Sequence, residues 1–99
     1  MVLEWLPRSR PPTVDELVAK GRYKQAAAVL RAQFQGRSPT LAERLRLADL
    51  LVLSDHGEQA LPILLGVADE LARYGFNDRA LEALRRADGI APGHPEVRG

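Results

Sequence analysis

The sequence predicts an all-α protein, an antiparallel helix-turn-helix array of about five helices. Its apolar residues recur at the i, i+3, i+4 and i+7 spacing that places them on one face of a helix. Glycine and proline interrupt the chain at intervals that suit helices, and no segment forms a convincing β-strand. The middle helices have such wide apolar surfaces that we expect neighbours on two sides of them.

The first predicted helix follows Pro11-Pro12, because a helix cannot extend back through two prolines. Thr13 and Glu16 have the spacing of a capping box, and Gly21 ends this helix. A second helix is predicted over residues 23–35. The residues expected on its buried face are Tyr23, Ala26, Ala27, Leu30 and Phe34.

The third helix begins at either Ser38-Pro39 or Thr40, which forms a second capping box with Glu43, and it extends to about Ser54. After a turn, a fourth helix extends to about Tyr74. Its apolar arc is wide enough to contact helices on both sides. The residues of this arc are Leu61, Leu64, Leu65, Val67, Ala68 and Leu71.

Pro62 fits the fourth helix only near its first turn, where the backbone N–H groups have no helical partners. A fifth helix is predicted from Asn77 to about Asp88. Phe76 and Leu81 have the spacing of a hydrophobic staple around its start. The residues expected to face inward on this helix are Ala80, Leu81, Leu84 and Ala87.

The chain aligns with itself when Ala26, Ala60 and Ala80 are superposed. The residues that then coincide are Leu17, Leu51 and Leu71; Leu30, Leu64 and Leu84; Asp15, Asp49 and Asp69; and the turn residues Gly21, Asp55 and Gly75. Alanine lets two helices approach closely, and the leucines fill the space on either side. Ala26 and Ala60 are 34 residues apart and Ala60 and Ala80 only 20, so the fourth helix would close the second unit and open the third.

These columns resemble the tetratricopeptide repeat family, whose period is 34 residues. The residues that carry the resemblance are Leu17, Gly21, Tyr23, Ala26 and Leu30 in the first unit, and Gly75, Ala80, Leu84, Ala87 and Pro92 in the third. The middle unit departs from the family at Asp55-His56-Gly57, where a glycine-x-tyrosine turn is usual. The resemblance covers residues 13–92 and implies a right-handed superhelix that binds another protein and catalyses nothing.

The resemblance also implies which positions face a binding groove. They form three columns, one residue from each unit: Asp15, Asp49 and Asp69; Val18, Val52 and Ala72; and Ala19, Leu53 and Arg73. An acidic column beside an apolar strip suits a peptide or amphipathic helix that carries Arg or Lys. The alternative is that Asp15 complements the helix dipole, while Asp49 and Asp69 are merely exposed polar residues.

Residues 1–12 form a predicted N-terminal extension, residues 13–90 the helical domain and residues 91–99 a linker or tail. Within the extension, Leu3, Trp5 and Leu6 are candidate docking residues, since aromatic side chains are common interface anchors. They either fold back over an exposed end of the helices or dock into a partner or a second copy of the chain.

Composition excludes several classes of function. Lys+Arg 14 balance Asp+Glu 13, so no net charge favours nucleic acid or an acidic membrane surface. The arginines of the last helix (Arg79, Arg85 and Arg86) are expected on its outer face, where they alternate with acidic residues. The chain has no cysteine and no apolar run of membrane-spanning length, which favours a cytoplasmic protein.

Catalytic and metal-binding patterns are also missing from the sequence. His56 and His94 both fall in predicted turns, and Asp55-His56-x-Glu58 lacks the further ligands of a metal site. We therefore expect no catalytic residue, cofactor, metal or small-molecule substrate. The predicted function is an adaptor, the N-terminal domain of a larger bacterial regulator. Two alternatives are a small chaperone that holds an amphipathic helix of an exported or filament subunit, and a structural homo-oligomerisation domain.

Overall fold

The computed structural model describes residues 11–91, and the regular structure in this part is entirely helical. The helices are α1 Val14–Ala19, α2 Tyr23–Ala32, α3 Leu41–Leu53, α4 Gly57–Arg73 and α5 Asn77–Ile90. The prediction of an all-α fold with about five helices is confirmed for these residues. None of the five helices is long and apolar enough to cross a membrane. The predicted extension and tail lie almost wholly outside residues 11–91, so these boundaries stay predictions.

Each helix packs on the helix before it and the helix after it in the sequence. Three residues separate α1 from α2, α3 from α4 and α4 from α5. So short a connection forces each of these pairs into a helical hairpin, with the second helix returning alongside the first. It follows that α3 and α5 run in the same direction, because two reversals separate them.

The three hairpin turns have the same backbone structure. Each contains a left-handed residue, with φ of 73° at Gly21, 66° at Asp55 and 83° at Gly75. In each, the next residue donates its N–H to a carbonyl five residues earlier. These bonds are Arg22 to Leu17 at 2.9 Å, His56 to Leu51 at 2.7 Å, and Phe76 to Leu71 at 2.9 Å. This is the Schellman ending of a helix, and its three donors and acceptors fall in matching columns of the sequence alignment.

Alanine and leucine side chains form the core at those columns. Ala26, Ala60 and Ala80 are all buried, as are Leu17 and Leu51. The remaining buried residues are Val14, Ala27, Leu30, Leu47, Ala48, Leu50, Leu64, Val67, Ala68, Leu71, Ala83 and Ala87. No polar or charged residue among residues 11–91 is buried. The fold therefore depends on apolar contacts between close-packed helices.

The five helices form two layers. An ion pair between Asp15 and Arg46 connects α1 to α3, and another between Asp49 and Arg86 connects α3 to α5. On the other side of α3, residues of both α2 and α4 line one shallow recess beside Leu51. Helices α1, α3 and α5 therefore form one layer, and α2 and α4 form the other.

Both predicted capping boxes are present. The Glu16 N–H donates to the Thr13 hydroxyl at 3.1 Å, and the Thr13 N–H donates to the Glu16 carboxylate. The structure also decides between the two possible starts of the third helix: Thr40, not Ser38-Pro39, caps α3, with Glu43 as its partner. Arg37 then binds both Glu43 carboxylate oxygens, at 2.8 and 2.7 Å.

Two helix ends differ from the approximate bounds that the sequence predicts. Helix α2 ends at Ala32 and not at Gln35, because the following N–H groups donate to carbonyls three residues back and form tight turns. Phe34 still packs on the core from this turn. Helix α5 continues past Asp88 to Ile90. Its last residue lies against Gly57, where an added Cβ would be 3.2 Å from the Ile90 side chain.

Two further expectations about α4 and α5 were wrong. Pro62 is the sixth residue of α4, beyond the first turn. A proline there removes one helical hydrogen bond, at a cost of about 3 kcal/mol, which burial of α4 against both α3 and α5 offsets. The predicted staple is absent, because Phe76 and Leu81 are 51 % and 47 % exposed and Phe76 is itself the N-cap residue. Leu81 therefore does not face inward.

Two glycine-to-alanine substitutions should have opposite effects on stability. Gly75 has a left-handed φ with no atom near its missing Cβ, so Gly75→Ala should lower the free energy of unfolding by ~1–2 kcal/mol through backbone strain alone. Gly66 lies within α4 with equally open space, so Gly66→Ala should raise it by ~0.5–1 kcal/mol. Urea unfolding followed by circular dichroism measures both, and a Gly75→Ala protein as stable as wild type would contradict the turn structure.

Acid should weaken the cap of α3. The Arg37 guanidinium, helped by the Thr40 backbone N–H, lowers the pKa of Glu43 from 4.5 to about 2. The unfolded chain therefore binds a proton at Glu43 more readily than the folded protein does. This contribution to stability is complete above about pH 4.5 and is lost as the pH falls through about 2.

Glu43→Gln should flatten the decrease in unfolding free energy across that pH interval, because the titrating group is gone. Arg37→Gln should flatten it as well, because the largest cause of the lowered pKa is removed. Urea unfolding at a series of pH values measures these slopes. Variants with the wild-type slope would show that the Arg37–Glu43 pair does not persist in solution.

Candidate functional site

A cleft of about 420 Å³ opens between α3 and α5, the parallel helices of one layer. Leu71 of α4 lies at its base. The walls are formed by Leu41, Ala42 and Leu45 of α3 and by Arg79, Glu82, Ala83 and Arg86 of α5. Most of the exposed cleft surface is apolar. We name this site the α3–α5 cleft.

Small side chains create the space in the α3–α5 cleft. Ala42 and Ala83 lie on its opposite walls, and an alanine on each side leaves a gap between two helices that larger side chains would fill. Leu71 and Ala83 are buried, Leu41 and Leu45 are half-buried, and Ala42 is exposed. Ala42 is therefore the position at which a substitution would change the cleft without disturbing the core.

Charged residues surround the apolar centre of the α3–α5 cleft. The Asp49–Arg86 ion pair closes it at the end where both helices approach their C-termini. The guanidinium of Arg79 lies 5.6 Å from the centre of the Phe76 ring, a cation–π arrangement. Neither Arg79 nor Glu82 makes an ion pair within residues 11–91. Arg79 is thus a cation whose charge is available to an incoming group.

A further ion pair connects α3 to α4 beside the cleft. The Arg44 side chain donates to the Glu70 carboxylate at 2.5 Å, and both groups are partly buried. The Arg44 Nε is buried and makes no hydrogen bond. This contact orients the first half of α3, which supplies one wall of the cleft.

The predicted acidic column divides between the two layers. Asp15 and Asp49 lie on α1 and α3, and each pairs with an arginine of the next helix in that layer. Asp69 lies on α4, in the other layer, and pairs with Arg73 of its own helix at 3.1 Å. The structure thus places two of the three aspartates on one surface, and every one of them already has an arginine partner.

The predicted apolar strip is only partly available. Val18 is half-buried and packs against the core. Val52 and Leu53 are 45 % and 57 % exposed at the end of α3, and Leu53 lines a shallow recess with residues of the α1–α2 turn. The candidate docking residues Leu3, Trp5 and Leu6 lie outside the described residues.

None of the predicted groove residues lines the α3–α5 cleft, although Asp49 lies at its end through the ion pair with Arg86. One sequence signal pointed towards it, because Leu45, Asp49, Val52 and Leu53 follow one face of α3 at helical spacing. When the sequence is aligned with itself, α4 falls at the place of the first helix of the third unit. In the structure, the neighbour of α3 in its layer is α5. Arg79 is exposed on α5, as expected, and it lines the open cleft together with the half-buried Arg86.

His56 has a structural role in the α3–α4 turn. Its Nδ1 lies 2.7 Å from the Ser54 carbonyl oxygen, so this nitrogen donates a hydrogen bond that holds the turn. Residues 11–91 contain no group of three or more histidine, aspartate or glutamate side chains placed to hold a metal ion.

Comparison with known proteins returned no match to a family model, a curated protein or a solved structure.

The Asp49–Arg86 pair should contribute modestly to holding α5 against α3. A double-mutant cycle with Asp49→Asn and Arg86→Gln is expected to give a coupling of ~0.2–1 kcal/mol that decreases with added salt, because both groups are partly exposed. Asp69→Asn with Arg73→Gln is the matched cycle within a single helix, at ~0.3–0.5 kcal/mol. A zero coupling for Asp49 and Arg86 would mean that this ion pair does not help to hold α5 against α3.

Proposed function

We propose that this chain is a non-catalytic protein-interaction module whose α3–α5 cleft receives a short segment of a partner protein. The observation that carries the proposal is an open, apolar cleft between two parallel helices, with charged groups confined to its edge. Sites with an apolar centre and a few placed polar groups are typical of binding surfaces. Here the apolar contacts would supply affinity, and the charged edge would orient the segment.

The proposed partner segment has one large apolar side chain next to a carboxylate. A cleft of about 420 Å³ accommodates a single large side chain with adjoining backbone. Arg79 at the edge makes no ion pair within the described residues, so it can attract an acidic group.

A basic partner, which the acidic column suggested, has less support. Asp15, Asp49 and Asp69 already pair with arginines of the same chain. A basic peptide would have to replace these contacts one for one. Since exposed ion pairs contribute only ~0.2–1 kcal/mol each, the net gain would be small.

The tetratricopeptide resemblance remains part of the proposal. Three equivalent Schellman turns and two helix layers are compatible with a short superhelix of helical hairpins. In such a superhelix the first helix of each hairpin lines the inner surface, and α3 and α5, which form the cleft, would be two of these helices. The adaptor role within a larger bacterial regulator rests on the same resemblance.

Self-association is a second candidate function. Tyr74, Phe76 and Leu81 are 68 %, 51 % and 47 % exposed in the α4–α5 turn and on α5. Large exposed apolar side chains on one hairpin favour burial against another molecule. A second copy of the chain is the simplest partner for this surface.

Peptide selection should test the cleft directly. Random short peptides displayed on phage and selected on the full chain should converge on one large apolar residue next to Asp or Glu. A selected peptide should bind Ala42→Glu at least ~10-fold more weakly, or by ~1.4 kcal/mol, because the new carboxylate enters the apolar cleft and repels the acid. Isothermal titration calorimetry measures the affinity.

The control is Ala28→Glu, the same change at an exposed position of α2 in the other layer. It should bind the selected peptide as wild type does. Peptides that bind Ala42→Glu and wild type equally would refute the cleft as the binding site. Light scattering over a range of concentrations tests the second candidate, which requires a dimer that Leu81→Glu abolishes.

A further inference from the structure

We infer that the recess between α2 and α4 binds a tetrahedral oxyanion, of the phosphate class, through Lys24 and Arg31. This site, which we name the α2–α4 recess, has a volume of about 170 Å³ and lies against Leu51 of α3. None of its lining residues also lines the α3–α5 cleft. The inference therefore concerns a second site and goes beyond the proposed function.

One face of α2 brings two cations to the recess. Lys24, Ala28 and Arg31 follow one another at i, i+4 and i+7, and all three are exposed and line the recess. Lys24 and Arg31 are separated by a rise of about 10.5 Å along the helix. Their side chains are long, and the small side chain of Ala28 lies between them. Both charged groups can therefore reach a single group bound above Ala28.

These two cations have no acidic partner in the described part of the chain. No ion pair within residues 11–91 includes Lys24 or Arg31. Residues 17–42 contain no aspartate or glutamate, but they contain five basic residues: Lys20, Arg22, Lys24, Arg31 and Arg37. Of these five, Arg37 pairs with Glu43. An anion in the recess would thus neutralise charge that the described residues leave unpaired.

The rest of the lining offers hydrogen-bond donors and no repelling carboxylate. Gln59, in the first turn of α4, carries an amide whose N–H groups can donate to an anion. His56 is held in place because its Nδ1 donates to the Ser54 carbonyl oxygen at 2.7 Å. Among residues 11–91, no aspartate or glutamate lines the recess. Asp55 lines a separate recess beside the α1–α2 turn and makes no ion pair with Lys24.

Volume and charge select the class of ligand. The recess has less than half the volume of the α3–α5 cleft, about 170 against about 420 Å³, so it suits a compact group. Two cations attract a doubly charged anion more strongly than they attract a single carboxylate. A phosphate group has at least three acceptor oxygens, so it can bind the Arg31 guanidinium through two of them and the Lys24 ammonium through another.

Titration of the full chain with inorganic phosphate tests the site. In proton–nitrogen correlation NMR spectra, the backbone amide signals of Lys24, Ala28, Arg31 and Gln59 should shift and reach saturation. Sodium chloride at equal ionic strength should not reproduce these shifts. Acetate, which carries one charge, should bind several-fold more weakly than phosphate.

Ala28→Glu and Ala42→Glu form a matched pair of variants. Ala28→Glu places a carboxylate between Lys24 and Arg31 and should abolish the saturable shifts. The fold should persist, because glutamate is a good helix former and pairs with both cations at helical spacing. Ala42→Glu, the same change in the α3–α5 cleft, should bind phosphate as wild type does. The two sites thus respond to opposite variants, and the failure of one leaves the other standing.

Single substitutions test each cation separately. Lys24→Gln and Arg31→Gln should each weaken phosphate binding about fivefold, because each removes one exposed charged contact. Arg85→Gln, which removes an exposed arginine that does not line the recess, should leave the affinity unchanged. Circular dichroism checks that all of these variants keep the helical fold.

Three results would overturn the inference. Shifts that chloride reproduces at equal ionic strength would show only the screening of charge. Phosphate binding that survives Ala28→Glu would place the anion elsewhere. An equal loss of affinity in Arg85→Gln would show that binding follows the net charge of the chain and not this site.

A short peptide with one phosphoserine separates two sources of the phosphate group. If this peptide binds more tightly than inorganic phosphate and loses its affinity in Ala28→Glu, the recess receives a phosphorylated segment of a protein. If it binds no more tightly, the recess receives the free ion. Either result supports the oxyanion site, whereas peptide binding that is indifferent to Ala28→Glu would contradict it.

Discussion

The left-handed residue that follows a helix at each hairpin is the constraint on which the rest of this structure depends. At Gly21, Asp55 and Gly75 the backbone leaves the helix and returns within three residues. The N–H of the next residue then satisfies a carbonyl that the helix end would otherwise leave without a partner. All three turns have the same backbone geometry, and a buried alanine follows each of them: Ala26, Ala60 and Ala80.

The cleft is a consequence of this repeated geometry. Two reversals place α5 beside α3, and α4 packs on both from the other layer. An alanine on each wall and a leucine at the base then leave an apolar gap, which the Asp49–Arg86 pair closes at one end. Apolar burial stabilises the fold. The ion pairs between exposed groups contribute little to stability, and they mainly determine which surfaces remain accessible to a partner. The same packing that stabilises α4 therefore also shapes the candidate site.

Much of the local structure was predictable, because its causes lie within a few residues of each other. Thr13 with Glu16 and Thr40 with Glu43 determine where α1 and α3 begin. The predictions that differ from the structure share a different cause. The end of α5 depends on Ile90 lying against Gly57, and the tolerance of Pro62 depends on burial of α4 on both sides. Contacts between residues far apart in the sequence thus determine where α5 ends and why Pro62 is tolerated.

The sequence by itself determined the helical fold class, the three turns and the identity of most core residues, since helical periodicity, glycine and capping patterns act locally. Only the tertiary structure decided which helices are neighbours in a layer. That choice placed Arg79 and Arg86 beside a cleft, and it gave Asp15 and Asp49 arginine partners on neighbouring helices. A side chain's partner across two helices depends on packing geometry, which no spacing within a single helix encodes.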